Sequence, residues 1–389
     1  MKSFFQSIRE LPRPFWVLVG AVFVNRFGVF VWPFLTLFIT RQGNSPSEAS
    51  WAVASYSLGT FAAAWLGGWL ADRFGRNRVM SFAAFGSAVC MLAMSQASHW
   101  QTLALIAFCT GLIADCGTPA SAALVQDMVP PGQRVAAFAV QRFAGNLGWS
   151  LGPMGAGFLA EVSYTWLFVV DAVTSVFFGV VAWFWLPKGR RTEAHLAGWG
   201  TAWASIKQNT PFLMLFLACL CGSWSFRQLT TTLMLHLEKS GHSPTWSGAI
   251  LALNGVMIIT MELMLAAGTR HFRAANMLAI GYLLMGGSYL VLLGSCPLWA
   301  FVVCMVVFTI GEMCAFSRQQ AYAASMAPDS MRGRYTGFLT FAWALGGVFS
   351  SATGLNLYAV NPHWVWISSA VCGAVAASFL LASKRTTTE

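Results

Sequence analysis

Apolar residues run along this chain in stretches of about twenty or more, separated by short polar connections that carry basic side chains, proline or glycine. Crossing the hydrocarbon of a bilayer takes about 20 helical residues. Twelve stretches qualify, at 14–40, 49–71, 79–98, 101–126, 135–160 and 164–186, then at 211–237, 247–268, 275–294, 298–325, 334–359 and 363–383. A helix pairs its own backbone polar groups in lipid, so each stretch is predicted as one transmembrane helix.

The connections set the topology. Of the 23 basic residues, 17 fall in tails and loops on one side, two (Arg41 and Lys239) on the other, and four (Arg26, Arg142, Arg227 and Arg318) inside spans. Positively charged loops stay in the cytoplasm, so both termini are expected on the cytoplasmic side of a plasma or bacterial inner membrane. The first span follows Lys2, Arg9 and Arg13 and exceeds the roughly 7–15 residues of a signal-peptide core, so no removable leader is expected.

The longest connection carries Lys188, Arg190, Arg191 and Lys207. It divides the chain into a six-helix bundle over 1–187, a cytoplasmic linker over 188–210 and a second bundle over 211–389. An internal repeat supports the division: Arg41-Gln-Gly-Asn-Ser-Pro46 recurs 198 residues later as Lys239-Ser-Gly-His-Ser-Pro244. Parallel repeats of this kind place a small-molecule substrate between the halves near the midplane.

Composition excludes other classes. With 57% hydrophobic and 9% charged residues, against about 25% charged in soluble domains, membrane lipid must solvate much of the surface. The net charge of +10 is dispersed between apolar runs, so no nucleic-acid partner is expected. Nine cysteines sit almost wholly in apolar runs without paired spacing and are read as small buried hydrophobes. No phosphate-cradling Gly-x-x-x-x-Gly-Lys-Ser/Thr sequence occurs, so work must come from gradients. The six histidines show neither metal-ligand spacing nor a nucleophile pattern. No metal, cofactor or enzymatic activity is expected.

Between the second and third spans stands Gly68-Trp-Leu-Ala-Asp72-Arg73-Phe-Gly75-Arg76-Asn-Arg78. It resembles the cytoplasmic loop signature of the major facilitator superfamily, departing at Asn77, where that family often has Lys. Gly68 permits close helix approach, Gly75 a tight turn, and Asp72 can accept from a helix N-terminus. The resemblance implies that Asp72 faces the start of the eleventh span near 335–337. It also implies that Arg76 pairs with Asp127, which ends the fourth span, as a gating latch. The fifth span carries Gly148-Trp-Ser-Leu-Gly152-Pro153-Met-Gly155-Ala-Gly157, similar to the Gly-Pro motif of drug:proton antiporters in that superfamily. That likeness implies export; the other reading is a packing kink.

Eight ionisable residues lie inside spans: Arg26, Asp115, Arg142, Asp171, Arg227, Glu262, Glu312 and Arg318. A charge at the bilayer centre costs at least about 2.5–3.5 kcal/mol, so each should face the bundle interior and find a partner. In the resembled superfamily spans one, four, seven and ten line the cavity, and here they hold Arg26, Asp115, Arg227 and Glu312. The expectation is one pair, Arg26 with Asp115, and a second, Arg227 with Glu312. A carboxylate paired with Arg when dry and protonated when Arg is displaced would couple protons to conformational change. Asp115 and Glu312 are therefore the leading proton carriers, with Glu262 a secondary proton or substrate site. The alternative is that the pairs only fix packing. Asp171 is assigned to scaffold and Arg318 to interfacial snorkelling. The family often puts the acid on the first span and Arg on the fourth; here the order is reversed.

Trp32, Trp224 and Trp343 lie deep in their spans and could line a pocket for lipophilic or cationic compounds, or simply pack. The expectation is an all-α polytopic membrane protein of twelve transmembrane helices in a 6+6 pseudo-symmetric major facilitator fold. It would work as a monomer, by alternating access, in proton-coupled efflux of small amphipathic compounds. The alternatives are an importer or facilitator of a polar metabolite and a lysolipid carrier.

Overall fold

A computed structural model describes residues 8–130, 133–189, 199–269, 271–294, 296–328 and 332–383. The helices of the first half are α1 (Arg13–Phe27), α2 (Val31–Arg41), α3 (Pro46–Phe74), α4 (Arg76–Gln96), α5 (Trp100–Asp115), α6 (Gly117–Met128), α7 (Arg134–Val162) and α8 (Tyr164–Trp185). A short α9 (Trp199–Gln208) leads to α10 (Thr210–Arg227), α11 (Thr232–Lys239), α12 (Pro244–Gly268), α13 (Ala274–Gly287), α14 (Leu298–Ser325), α15 (Arg332–Val360) and α16 (Pro362–Ala382). One 3-10 segment, Ser288–Leu293, extends α13. Among the described residues ten helical stretches are long and apolar enough to cross a membrane. The helices α3 and α7, 29 residues each, also exceed the length a span requires, but carry more polar residues.

Two predicted spans are broken. The stretch 14–40 divides into α1 and α2 because the helical ladder stops at Gly28, whose N–H is the last to bond four residues back, to Val24 O at 3.1 Å. The Phe30 N–H turns instead to Gly28 O at 2.7 Å. Glycine weakens a helix interior, and α8 fixes this weak point, since a Cβ on Gly28 would overlap Thr174. The stretch 211–237 divides into α10 and α11 at 228–231. There threonine hydroxyls compete for backbone carbonyls: Thr231 Oγ1 donates to Arg227 O at 2.9 Å and Thr232 Oγ1 to Gln228 O at 3.4 Å.

The chain forms two compact units. The first gathers 1–44, 55–195 and 244–255; the second gathers 45–54, 196–243 and 256–389. Each unit thus takes in the opening turns of a helix whose remainder belongs to the other, at the starts of α3 and α12.

In the first unit the glycines of α7 act as a packing face against α1. A Cβ at Gly148 would come within 2.7 Å of Phe23 O, and one at Gly152 within 2.5 Å of Phe27 O. A Cβ on Gly155 would meet the Phe30 ring at 3.4 Å, and one on Gly157 would come within 2.8 Å of Pro244 O. Pro153 sits inside the same helix. In the second unit buried aromatic hydroxyls tie helices together. Tyr282 donates to Gln319 at 2.9 Å and Tyr289 to Ser225 O at 3.0 Å. The start of α3 joins this unit through Asn356, which donates to Ser50 at 3.1 Å.

The close approach of α7 to α1 predicts a contrast. Gly152→Val should lower the thermal unfolding midpoint of the purified protein, by the equivalent of about 1–3 kcal/mol of overpacking. Gly20→Ala, in open space on α1, should leave the midpoint unchanged or raise it.

Candidate functional site

Inside the first unit lies a cavity of about 610 Å³, within the range that small-molecule sites occupy. Its wall draws on α1 to α8 and gathers four ionisable side chains: Arg26 from α1, Asp115 from α5, Arg142 from α7 and Asp171 from α8. Trp32 on α2 lines it beside Tyr56 of α3. A hydrogen bond of 3.0 Å from Gln141 to Ser121 Oγ links α7 to α6 along the same wall.

Arg26 is exposed to the cavity and Asp115 is half-buried. They share the cavity but no ion pair joins them. The pairing expected for this half is therefore corrected: one residue lies at the last turn of α1 and the other at the last residue of α5, and each faces cavity space.

The group most withdrawn from solvent is Asp171, 4% exposed. Four residues along α8, the Ser175 hydroxyl accepts from Asn25 Nδ2 of α1 at 3.3 Å. The Asp171 Oδ2 is buried and has no hydrogen-bond partner. Asp171 is thus a buried member of the cavity wall, a placement that its position in an apolar span did not disclose. The available signal was the carboxylate itself.

The second unit repeats the break. Gln228, fully buried, donates to Ser350 Oγ at 2.8 Å and to Trp224 O at 3.3 Å, while its Oε1 accepts from Thr232 at 2.9 Å. Arg227 precedes it and lies against Gly347, where a Cβ would come within 3.1 Å of its Nε. Glu312 is buried and Glu262 half-buried. Trp224 donates to Thr353 at 2.8 Å, and Trp343 meets Phe316 edge-on at 4.9 Å.

The loop after α3 forms a separate cluster. Gly75 adopts φ +95°, a conformation that glycine alone takes readily, and turns the chain into α4. The next residue, Arg76, is buried and forms an ion pair with Asp127 on α6 while donating to Ala123 O. The segment after α8 covers this pair. Lys188 O accepts from Arg76 N at 3.0 Å, Leu186 O from Asn77 Nδ2 at 3.3 Å, and a Cβ on Gly189 would reach Asp127 Oδ2 at 2.9 Å. Arg73 is exposed and lies over the Trp69 ring at 5.2 Å. The side chains of Gly68 and Asp72 lie outside the described residues.

Residues 18–351 match the sequence profile of the Major Facilitator Superfamily. The chain belongs to this superfamily. Over 364 residues, 85% of each chain, it is 27% identical to a "Na(+), Li(+), K(+)/H(+) antiporter" of Planococcus maritimus. Over 383 residues it is 25% identical to the multidrug resistance protein MdtH of Aeromonas salmonicida, covering 97% of this chain and 95% of that one. Among solved structures, a peptide transporter POT in complex with sulfate superposes with a TM-score of 0.79 at 18% identity, covering 97% of this chain and 94% of that one. A D-xylose-proton symporter gives 0.76 at 16% identity, with 97% of each chain covered. The Major Facilitator Superfamily fold accounts for the all-helical architecture, and the protein is a multi-pass membrane transporter.

For this superfamily member the buried ion pair predicts a measurable coupling. Arg76→Ala leaves Asp127 without its main counter-charge, which costs about 3–5 kcal/mol where burial is complete. Asp127→Ala should cost less, because the arginine keeps its bond to Ala123 O. A double-mutant cycle on thermal unfolding should return a non-zero coupling of about 0.5–3 kcal/mol; additive effects would show that the pair contributes nothing.

Proposed function

We propose that the protein is a secondary active transporter that works by alternating access and expels small amphipathic compounds in exchange for protons. The observation that carries this reading is the cavity of the first unit, where Arg26, Asp115, Arg142 and Asp171 stand among aromatic and aliphatic side chains. Charges this deep in a membrane protein mark ion or substrate pathways. The aromatic wall suits a lipophilic body and the carboxylates suit a positive charge on it. The names of two relatives, a cation/proton antiporter and a multidrug resistance protein, support both halves of the reading.

In this proposal Asp115 carries a proton on the cavity wall, and Arg26 is a cationic residue of the same cavity. Glu312 and Glu262 are the corresponding candidates in the second unit, with Arg227 beside the second break. The loop centred on Arg76 and Asp127, together with Asp72, is the gating latch. The protein would sit as a monomer in the cell membrane with both termini cytoplasmic, as the basic loops indicate.

The test is flux in proteoliposomes holding the purified protein, with ethidium as the amphipathic cation and a pH gradient imposed across the membrane. Ethidium should move against its own gradient only while the pH gradient lasts, with protons moving the other way. Asp115→Asn should reduce the pH-driven rate by roughly 5- to 150-fold, the span of ordinary couplings between sites. Accumulation of a polar solute running with the proton gradient, and no ethidium movement, would replace antiport with import.

A further inference from the structure

We infer that the cargo of the first-unit cavity is zwitterionic: an amphipathic compound whose anionic group is taken by Arg26 and whose cationic group is taken by Asp115. This rests on the reading of that cavity as the transport site and adds to it the charge pattern of what the site receives.

The two side chains reach the cavity at one depth from different helices. Arg26 follows Arg13, where its span begins, by thirteen residues, and Asp115 precedes Met128, where its span ends, by the same number. Successive spans run in opposite directions, so the start of the first and the end of the fourth lie at the same membrane face. Thirteen residues of helix rise about 20 Å, which carries both groups well into a hydrocarbon layer of about 30 Å. Both line the cavity.

Neither has a partner inside the protein. Arg26 is exposed to the cavity and Asp115 is half-buried, and among the described residues neither side chain forms a hydrogen bond or an ion pair. An ionised group at such depth is either paired or functional. The other charged members of the wall leave these two as they are: Arg142 has a partner of its own, and Asp171 is buried. Among the described residues the cavity therefore presents one unanswered positive charge and one unanswered negative charge.

Charge complementarity decides between the simple classes of cargo. A lipophilic cation answers Asp115 but brings a second positive charge into a dry site that already holds Arg26, and like charges brought together without water repel. A lipophilic anion does the reverse. A compound carrying both groups discharges both side chains at once, its carboxylate or phosphate oxygens matched to the guanidinium fork and its ammonium to the Asp115 carboxylate. On the same wall Trp32, Tyr56, Phe138 and Phe178 supply apolar surface for its body. Ethidium engages only half of this arrangement and is a cargo of the weaker kind.

Calorimetric titration of the purified full chain in detergent, at neutral pH and without a gradient, tests the assignment with three ligands built on one body. Naphthylalanine is zwitterionic, naphthylethylamine lacks the carboxylate, and naphthylpropanoate lacks the ammonium. Naphthylalanine should bind tighter than either by about tenfold or more. Arg26→Gln should remove that advantage over the amine by weakening naphthylalanine alone. Asp115→Asn should remove the advantage over the propanoate in the same way. An amine that binds the unmutated protein as tightly as naphthylalanine overturns the inference, and so does a protein that binds none of the three.

Equal loss of naphthylalanine and the amine in folded Arg26→Gln marks Arg26 as structural and overturns it as well. Should Arg26→Gln fail to fold, Arg26→Lys takes its place. The charge stays but the two-pronged grip goes, so the preference for naphthylalanine over the amine should shrink, and an unchanged preference overturns the inference equally. If the unmutated protein moves no ethidium under a pH gradient, the antiport reading falls, and the binding ratios still decide the charge of the cargo.

Discussion

Hydrocarbon offers no hydrogen bonds, so any interruption of a spanning helix must find partners for the amides and carbonyls it releases. The break between α1 and α2 meets part of that demand within itself, with Val29 N–H donating to Arg26 O at 3.4 Å and Phe30 N–H to Gly28 O at 2.7 Å. The glycine face of α7 lets α1 approach closely enough for its C-terminal turn to reach the cavity. Thr174 presses on Gly28, and the bond from Asn25 Nδ2 to Ser175 Oγ links the two helices beside the gap. The cavity opens where regular helix is suspended, and so its charges have walls that already carry polar backbone.

The two sequence repeats solve the same problem with different chemistry. Both halves interrupt their first helix just after an arginine, at Arg26 and at Arg227. In the first, Gly28 is pressed by Thr174 of α8; in the second, the loose ends are gathered by an amide and hydroxyls that are fully buried.

Hydropathy made the spans legible, because the length of an apolar run and the basic residues at its ends are dictated by the bilayer itself. The Arg76 and Asp127 partnership was legible through the resemblance of the loop following Gly68, not through any pattern within the chain. The breaks were not legible. A glycine inside an apolar run costs only about 1 kcal/mol relative to alanine and is common in membrane helices, so Gly28 alone says little until Thr174 is known to press on it. The same limit applied to Asp171, whose nearest sequence neighbours are all apolar. It shares the cavity wall with Arg26, Asp115 and Arg142 from three other helices, and spacing along the chain cannot bring those four together. The separation of Arg26 from Asp115 has a similar origin, since position near the middle of a span fixes depth but leaves the direction a side chain takes undetermined.

The crowding at Gly28 also constrains how such a protein can diverge. Position 28 has no room for a β-carbon, because Thr174 Cβ already stands 2.6 Å from where it would be. Even alanine at 174 would keep that atom. A lineage could therefore relinquish the glycine only after α8 had first retreated or itself acquired glycine at 174, so the order of the two changes is fixed in advance.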